Sequence, residues 1–244
     1  MVDLTFLTRR PIAHRGLHDR TTGCIENTAA AVEAAIAADY AVEVDVQLSL
    51  DSEAMVFHDS TLDRLTRASG RLEDLNSSAL RRVVFRDTDQ HMMSLPELLG
   101  RVAGRTPLLI EVKGDVSGDL RLARRAARLV STYRGPCALM SFDPKVVAAL
   151  AQFAPLVPRG IVAQRDTLDA KASLGERLAR AHLWHWRASR FQFIAYRVGD
   201  LPTLATRIAR LAGMPVLAWT VRTPQDQARA AAAADQIIFE GYAP

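Results

Sequence analysis

The chain alternates short β-forming apolar runs with longer stretches in which apolar residues recur at helical spacing. Eight such runs occur in order: PIAH, VEVDV, PLLIEV, CALMSF, RGIVA, FQFIAY, PVLAWTV and QIIF. Helical patterns such as TAAAVEAAIAAD and PKVVAALAQF lie between most of them. Eight repeated strand–helix units predict a parallel sheet closed into a TIM-type (β/α)8 barrel. With 244 residues, 49% of them hydrophobic, we expect one barrel domain over residues 1–244.

A ninth run, MVFH at 55–58, follows the second strand too closely for a parallel crossover and is therefore predicted to pair antiparallel. A two-residue loop at Asp51 and Ser52 would set Asp45 opposite His58, on the same face. The same register would gather apolar side chains on the other face: Val44, Val46, Leu48, Met55 and Phe57. Residues 59–93 then lack clear periodicity until the helical pattern SLPELLGRVAG, and we interpret them as a small insertion on the barrel rim.

Three carboxylates interrupt strands that should otherwise be apolar. Glu43 and Asp45 lie two residues apart, so they share one face, and Glu111 breaks the buried run PLLIEVK. Inward polar groups near the carboxyl ends of barrel strands belong to the functional site, so the three could converge there. Their mutual repulsion would then favour a bound Mg2+ or Ca2+ ion, with Mn2+ a further candidate. The alternative is a cluster of ion pairs with arginine.

Two histidines and two cations could complete a site for phosphoryl chemistry. His14 ends the first predicted strand, and His58 would face the same region, so one could remove a proton and the other donate one. Arg15 and Lys113 could neutralise phosphate oxygens.

Aromatic residues and other histidines give weaker signals. Phe142 and Trp219 end predicted strands, where each could contact a substrate or plug the barrel core. His182 and His185 have a spacing that fits a helical metal pair or packing beside two tryptophans, and packing is favoured.

Charge and composition narrow the class of protein. The net charge is +4, but the arginines are scattered over amphipathic segments, which indicates solvated helix faces rather than nucleic-acid binding. Cys24 and Cys137 form no CxxC pattern, and no run has the length of a membrane span or of a signal-peptide core. The insertion offers only short apolar runs. We therefore expect a cytoplasmic protein without stable membrane association, and the oligomeric state is open.

Motifs spread over nearly the whole chain resemble those of the glycerophosphodiester phosphodiesterase family. They are PIAHRG at 11–16, ENT at 26–28, EVDVQLSLD at 43–51, VFHD at 56–59, LDR at 62–64, SLPELL at 94–99, LLIEVK at 108–113, SF at 141–142 and LAWTV at 217–221. The chain departs from the family pattern at Asp51–Ser52, at Arg222 and in the ending FEGYAP.

The resemblance implies a barrel like that of phosphatidylinositol-specific phospholipases C. It also implies a divalent metal on Glu43, Asp45 and Glu111, acid/base roles for His14 and His58, and phosphate contacts from Arg15 and Lys113. The implied reaction hydrolyses a glycerophosphodiester, such as glycerophosphocholine or glycerophosphoethanolamine, to sn-glycerol 3-phosphate and an alcohol, directly or through a cyclic phosphate. Two alternatives are a phospholipase C or D activity on intact lipid and a non-catalytic barrel that binds phosphate esters.

Overall fold

Eight parallel strands close into a barrel in the computed structural model, which describes residues 2–114, 117–165 and 173–244. The sheet order is β1-β9-β8-β7-β6-β5-β4-β2, and pairing of β1 with β2 closes the ring. This confirms the predicted TIM-type barrel. The parallel strands are β1 (Ile12–Ala13), β2 (Ala41–Leu48), β4 (Leu108–Val112), β5 (Cys137–Ser141), β6 (Arg159–Ala163), β7 (Phe193–Arg197), β8 (Val216–Val221) and β9 (Gln236–Phe239).

Helices follow the strands and pack on the outside of the barrel. Several begin at side-chain caps: Thr28 caps α2, Asp143 caps α6, and Ser94 with Glu97 forms a capping box at α4. Among the described residues, no helix is long and apolar enough to cross a bilayer. The helices are α1 (Phe6–Arg9), α2 (Ala29–Ala37), α3 (Ser77–Leu80), α4 (Leu95–Val102), α5 (Arg121–Val130), α6 (Pro144–Phe153), α7 (Leu174–Ala181), α8 (Trp186–Ser189), α9 (Leu204–Leu211) and α10 (Pro224–Ala233).

Two apolar cores lie on the two sides of the barrel wall. The larger fills the space between the strands and the surrounding helices. The smaller fills the barrel interior with side chains such as Leu109, Met140 and Phe193, and Phe6 and Leu7 of α1 pack against it. Because the barrel is filled with side chains, only its rim is open to a substrate.

The antiparallel partner of β2 is present, but its predicted register is wrong by one residue. β3 (Ala54–Val56) pairs Val46 with Val56 and Leu48 with Ala54. The loop contains three residues, 50–52, because Ser49 N–H donates to Glu53 O at 3.0 Å and Ser52 adopts φ 64°. Such three-residue loops with a left-handed last residue are a common hairpin form. The Ser49 hydroxyl supports the turn by donating to Asp51 at 2.6 Å.

The corrected register exchanges the two faces of β3. Ala54 and Val56 pack in the outer core, whereas Met55 and Phe57 pack in a separate apolar cluster with residues of the insertion. Phe57, not His58, is paired with Asp45, since Phe57 N–H donates to Asp45 O at 3.0 Å. The insertion at 59–93 therefore has a core of its own, made with Leu62, Leu72, Leu80 and Phe85 among others.

Candidate active site

The site residues continue the inward-facing rows of the barrel strands. On β1, β2 and β4, an inward apolar residue is followed two positions later by a polar one, as in Ile12 to His14 and Leu109 to Glu111. The same step on β9 leads from Ile238 to Glu240. All these polar groups lie at the carboxyl ends of parallel strands, so they meet at one rim of the barrel.

Three carboxylates converge inside this rim. Glu43, Asp45 and Glu111 are 0%, 1% and 7% exposed, and each offers an oxygen within 4.8 Å of the others. The strand register explains the proximity, because β2 and β4 pair Asp45 directly with Glu111. Among the described residues, Glu43 Oε1 is a buried oxygen without a hydrogen-bond partner. Three buried oxygen donors with one lacking a partner fit a hard divalent cation.

The three carboxylates differ in how much positive charge lies near them. Burial, together with the nearby Asp45 and Glu111, raises the pKa of Glu43 well above its ordinary value. Burial alone would raise the pKa of Asp45 as well, but Lys113 and Arg15 hold it below its ordinary value. Lys113 Nζ lies 2.6 Å from Asp45 Oδ1 and 2.5 Å from Glu111 Oε1. The cations therefore compensate Asp45 and Glu111, while Glu43 is left short of positive charge.

Arg15 ties the first strand to the carboxylates through both its backbone and its side chain. Its N–H donates to Glu43 Oε2 at 2.9 Å, and its Nε lies 3.2 Å from Asp45 Oδ2. Arg15 has φ 57° and Gly16 has φ 79°, which turns the chain sharply after the strand. A Cβ on Gly16 would lie 2.7 Å from the backbone of Ala31, so glycine is required for this close approach to α2.

His14 is held by a carboxylate that sequence reasoning did not single out. Its Nδ1 contacts Glu240 Oε2, and its Nε2 lies 3.9 Å from Glu43 Oε2. Burial lowers the pKa of His14, and Arg15 acts in the same direction, although the contact with Glu240 opposes both. Glu240 Oε1 accepts a hydrogen bond from Arg222 Nε at 2.6 Å. Arg222 and the ending FEGYAP, both departures from the family pattern, are thus joined by a hydrogen bond. The period-two spacing from Ile238 could have identified Glu240 in the sequence.

Asn27 is a second residue whose role the sequence pattern does not reveal. It is fully buried with φ 59°. Its Nδ2 donates to Asp45 Oδ2 at 3.0 Å, and its Oδ1 accepts from the Asp45 backbone N–H at 3.2 Å. The preceding Glu26 accepts a hydrogen bond from Arg15 Nη1 at 2.6 Å. The ENT motif therefore holds both Asp45 and Arg15, a function that only the tertiary contacts reveal.

His58 is held in position by contacts other than the predicted strand pairing. It follows the last strand pair of the hairpin, and its carbonyl accepts from Gln47 Nε2 at 2.8 Å. Its Nδ1 lies 2.7 Å from Asp59 Oδ1. Arg64 of the insertion donates to Asp59 at 2.6 Å and bridges to Glu26 at 2.9 Å. Contacts with the insertion thus hold His58 in position. The predicted pairing of His58 opposite Asp45 does not occur.

Phe142 and Trp219 lie where the packed interior meets the rim. Their rings are perpendicular with centroids 5.2 Å apart, and both pack on the interior core while partly exposed. Trp219 Nε1 donates to Ala195 O at 3.1 Å. The two rings therefore cover the interior core at the carboxyl ends of β5 and β8.

Comparisons with known proteins agree with this arrangement. The family model described as "Glycerophosphoryl diester phosphodiesterase family" matches residues 14–239. The Bacillus subtilis protein YhdW, whose name assigns it provisionally to the glycerophosphodiester phosphodiesterases, is 28% identical over 163 residues, which are 62% of this chain and 64% of that protein.

Two solved structures show the same fold. A Silicibacter pomeroyi DSS-3 protein assigned provisionally to the same enzymes has a TM-score of 0.80 and 23% identity, covering 94% of this chain and 89% of its own. An Oleispira antarctica phosphodiesterase in complex with the product sn-glycerol-3-phosphate has a TM-score of 0.77 and 19% identity, covering 96% and 93%.

Proposed function

Because the chain belongs to the glycerophosphoryl diester phosphodiesterase family, we propose that it hydrolyses glycerophosphodiesters of deacylated phospholipids, such as glycerophosphocholine or glycerophosphoethanolamine. The products would be sn-glycerol 3-phosphate and an alcohol. The observation that carries the proposal is that three buried carboxylates lie together with His14 at one rim, and that Gln47 of the same strand β2 donates to the carbonyl of His58. The sn-glycerol-3-phosphate bound by the Oleispira antarctica protein supports the choice of product.

Glu43, Asp45 and Glu111 would hold one divalent cation, Mg2+, Ca2+ or Mn2+. A bound ion would polarise a phosphoryl oxygen and lower the pKa of the attacking hydroxyl. The protein prepares this site in two ways. Asn27, Lys113 and Arg15 keep Asp45 ionised and oriented, and burial leaves Glu43 Oε1 without a protein partner.

His14 would act as the base. The contact with Glu240 engages Nδ1, so the Nε2 lone pair is the one that faces the carboxylates. Burial lowers the pKa of His14, which favours the neutral imidazole that would accept a proton from the attacking hydroxyl. Glu240 then stabilises the imidazolium that forms.

His58 would donate the proton to the leaving alcohol. Asp59 fixes its Nδ1 at 2.7 Å, which leaves Nε2 for the substrate, and its side chain is about one-third exposed at the rim. An acid at the edge of the site suits a leaving group that extends into solvent.

Arg15 and Lys113 would bind the phosphate oxygens. Arg15 offers a planar guanidinium, and Lys113 a point charge whose pKa is raised by Asp45 and Glu111 although burial opposes it. Phe142 and Trp219 would contact the carbon skeleton of the substrate, since their paired rings are partly exposed where the interior core meets the rim.

Turnover of glycerophosphocholine by histidine variants tests this proposal. His14→Ala and His58→Ala should each lower kcat by about 100-fold or more, because general acid–base catalysis contributes about that much. His91→Ala, at an exposed position of the insertion, is the matched control and should retain full activity. Faster cleavage of intact lipid than of deacylated esters would replace the proposed substrate, and wild-type turnover in both variants would remove the histidines from the mechanism.

A further inference from the structure

The exposed apolar surface of the protein is concentrated in one stretch of the chain. Of the nine exposed large hydrophobic side chains within residues 2–114, 117–165 and 173–244, seven lie between positions 174 and 211. We call these seven residues the flank surface: Leu174, Leu178, Trp184, Trp186, Leu204, Ile208 and Leu211. Exposed apolar groups gathered in this way mark an interaction surface more often than isolated ones do.

In helix α9 the large aliphatic residues face outward and the small residues face the barrel. Its large aliphatic residues Leu204, Ile208 and Leu211 are 74%, 57% and 89% exposed, although their spacing places them along one side of the helix. The residues turned toward the barrel are small, with Thr206 buried and Ala205 and Ala209 partly buried. The aliphatic side of α9 therefore faces solvent instead of packing in the described core.

The helices of the flank surface connect strands on the side of the ring away from the carboxylates. α7 connects β6 to β7, and α9 connects β7 to β8, which are successive neighbours in the sheet. In the closed ring, β7 lies across the barrel from β2, which carries Glu43 and Asp45. The seven residues of the flank surface belong to the segments that connect β6 to β7 and β7 to β8.

The charges around the flank surface are strongly positive. Residues 173–213 contain seven arginines and two acidic residues, Glu176 and Asp200, and one of the arginines, Arg210, is paired with Asp235 at 2.9 Å. Glu176 accepts from the Ser173 backbone at 2.8 Å, and Asp200 accepts from the Arg165 N–H at 2.9 Å, so both serve local structure. Arg187 lies over the exposed ring of Trp186 at 5.3 Å. Exposed Leu and Trp interspersed with arginine are typical of surfaces that bind anionic bilayers.

A second copy of this chain fits the surface less well. A two-fold contact brings the same patch of both subunits together, so the arginines of one flank surface would face those of the other. An anionic headgroup layer instead complements the arginines and accepts the apolar side chains below it. We propose that the flank surface docks the protein reversibly on anionic phospholipid bilayers, in contrast to the expected lack of stable membrane association.

Vesicle sedimentation tests the proposal. Wild-type protein should bind vesicles of phosphatidylcholine with phosphatidylglycerol much more strongly than vesicles of phosphatidylcholine alone, and added salt should weaken the binding. Replacing Leu204, Ile208 and Leu211 together by Ser should lower the partition coefficient at least tenfold. Arg177→Gln with Arg187→Gln should lower it about 30-fold, since each cation near the membrane contributes about fivefold.

Matched controls distinguish docking through the flank surface from a general effect of removing exposed apolar side chains. Leu50→Ser with Leu156→Ser removes exposed apolar residues outside the flank surface and should leave vesicle binding unchanged. Turnover of dissolved glycerophosphocholine should be the same in all these variants. The proposal fails if anionic vesicles do not bind the wild type, if the α9 and arginine variants bind as well as the wild type, or if light scattering shows a dimer that the α9 variant converts to monomer.

Discussion

Glu240→Gln perturbs the contact between His14 and the carboxylate that holds it. The amide oxygen of glutamine can still accept a hydrogen bond from His14 Nδ1, so the ring should stay in place. The negative charge is lost, and with it the stabilisation of the imidazolium. Arg222, which donates to Glu240 Oε1 at 2.6 Å, loses a charged partner as well.

The structure sets the size of the effect. His14 and Glu240 side chains are 12% and 19% exposed, so water screens their interaction only in part. A hydrogen bond to a charged group contributes about 1.5–3 kcal/mol and a neutral one about 0.5–1.5 kcal/mol. A difference near 1.4 kcal/mol in the transition state corresponds to a tenfold change in rate. We therefore expect kcat to fall about tenfold, with KM changed less than twofold because Glu240 contacts His14 rather than the phosphate cations.

The assay is steady-state hydrolysis of glycerophosphocholine at saturating metal, with the melting temperature measured in parallel. Arg222→Gln is the control, since it retains the carboxylate and removes only a guanidinium that is 55% exposed; its kcat should stay within twofold of wild type. If Glu240→Gln keeps wild-type kcat, or if its loss appears entirely in KM, Glu240 does not act through His14.

Three other substitutions test separate parts of the structure. Asn27→Ala should lower the free energy of unfolding by about 2–4 kcal/mol in chemical denaturation, because it removes two hydrogen bonds to Asp45 in a buried site; an unchanged midpoint would contradict this. Gly16→Ala should lower the melting temperature by several degrees through its clash with Ala31, and a neutral effect would contradict the close approach. Burial, with Arg180, lowers the pKa of His185 from 6.5 to about 4, so folded protein binds fewer protons than unfolded protein between these values and its stability falls as pH drops through them. His185→Gln should make that fall shallower, and parallel pH profiles would refute the assignment.

The barrel and its inward carboxylates could be predicted from the sequence because both depend on local periodicity. Eight apolar runs alternate with helical patterns, and Glu43, Asp45 and Glu111 interrupt runs whose burial is otherwise clear. Once the strands are known to be parallel neighbours, convergence of these three residues follows from the topology.

The hairpin register could not be predicted because the alternation of β3 admits two solutions. The predicted register places Met55 and Phe57 on the same apolar face as Val44, Val46 and Leu48. Residues of the insertion instead form a second apolar cluster, in which Met55 and Phe57 are buried. The three-residue loop depends on Ser52, whose backbone adopts the left-handed conformation. A serine gives no clear signal for that conformation, since glycine or asparagine is the usual residue there.

Asn27 and Glu240 were missed for different reasons. Asn27 lies in a loop, and its hydrogen bonds to Asp45 join positions 18 residues apart, which no local pattern records. Glu240 continues the inward row of β9, so the period-two spacing that identifies Glu43 and Asp45 also applies to it.

The most direct test of the proposed chemistry is release of sn-glycerol 3-phosphate from glycerophosphocholine by metal-depleted protein, titrated with Mg2+, Ca2+ or Mn2+. Wild type should be inactive after chelation and recover with added cation. Glu43→Gln should need a much higher cation concentration, while Glu53→Gln, a carboxylate paired with Arg125 outside the site, should titrate like wild type. Full activity in the metal-depleted wild type, or identical titrations for Glu43→Gln and Glu53→Gln, would contradict a catalytic cation held by the buried carboxylates.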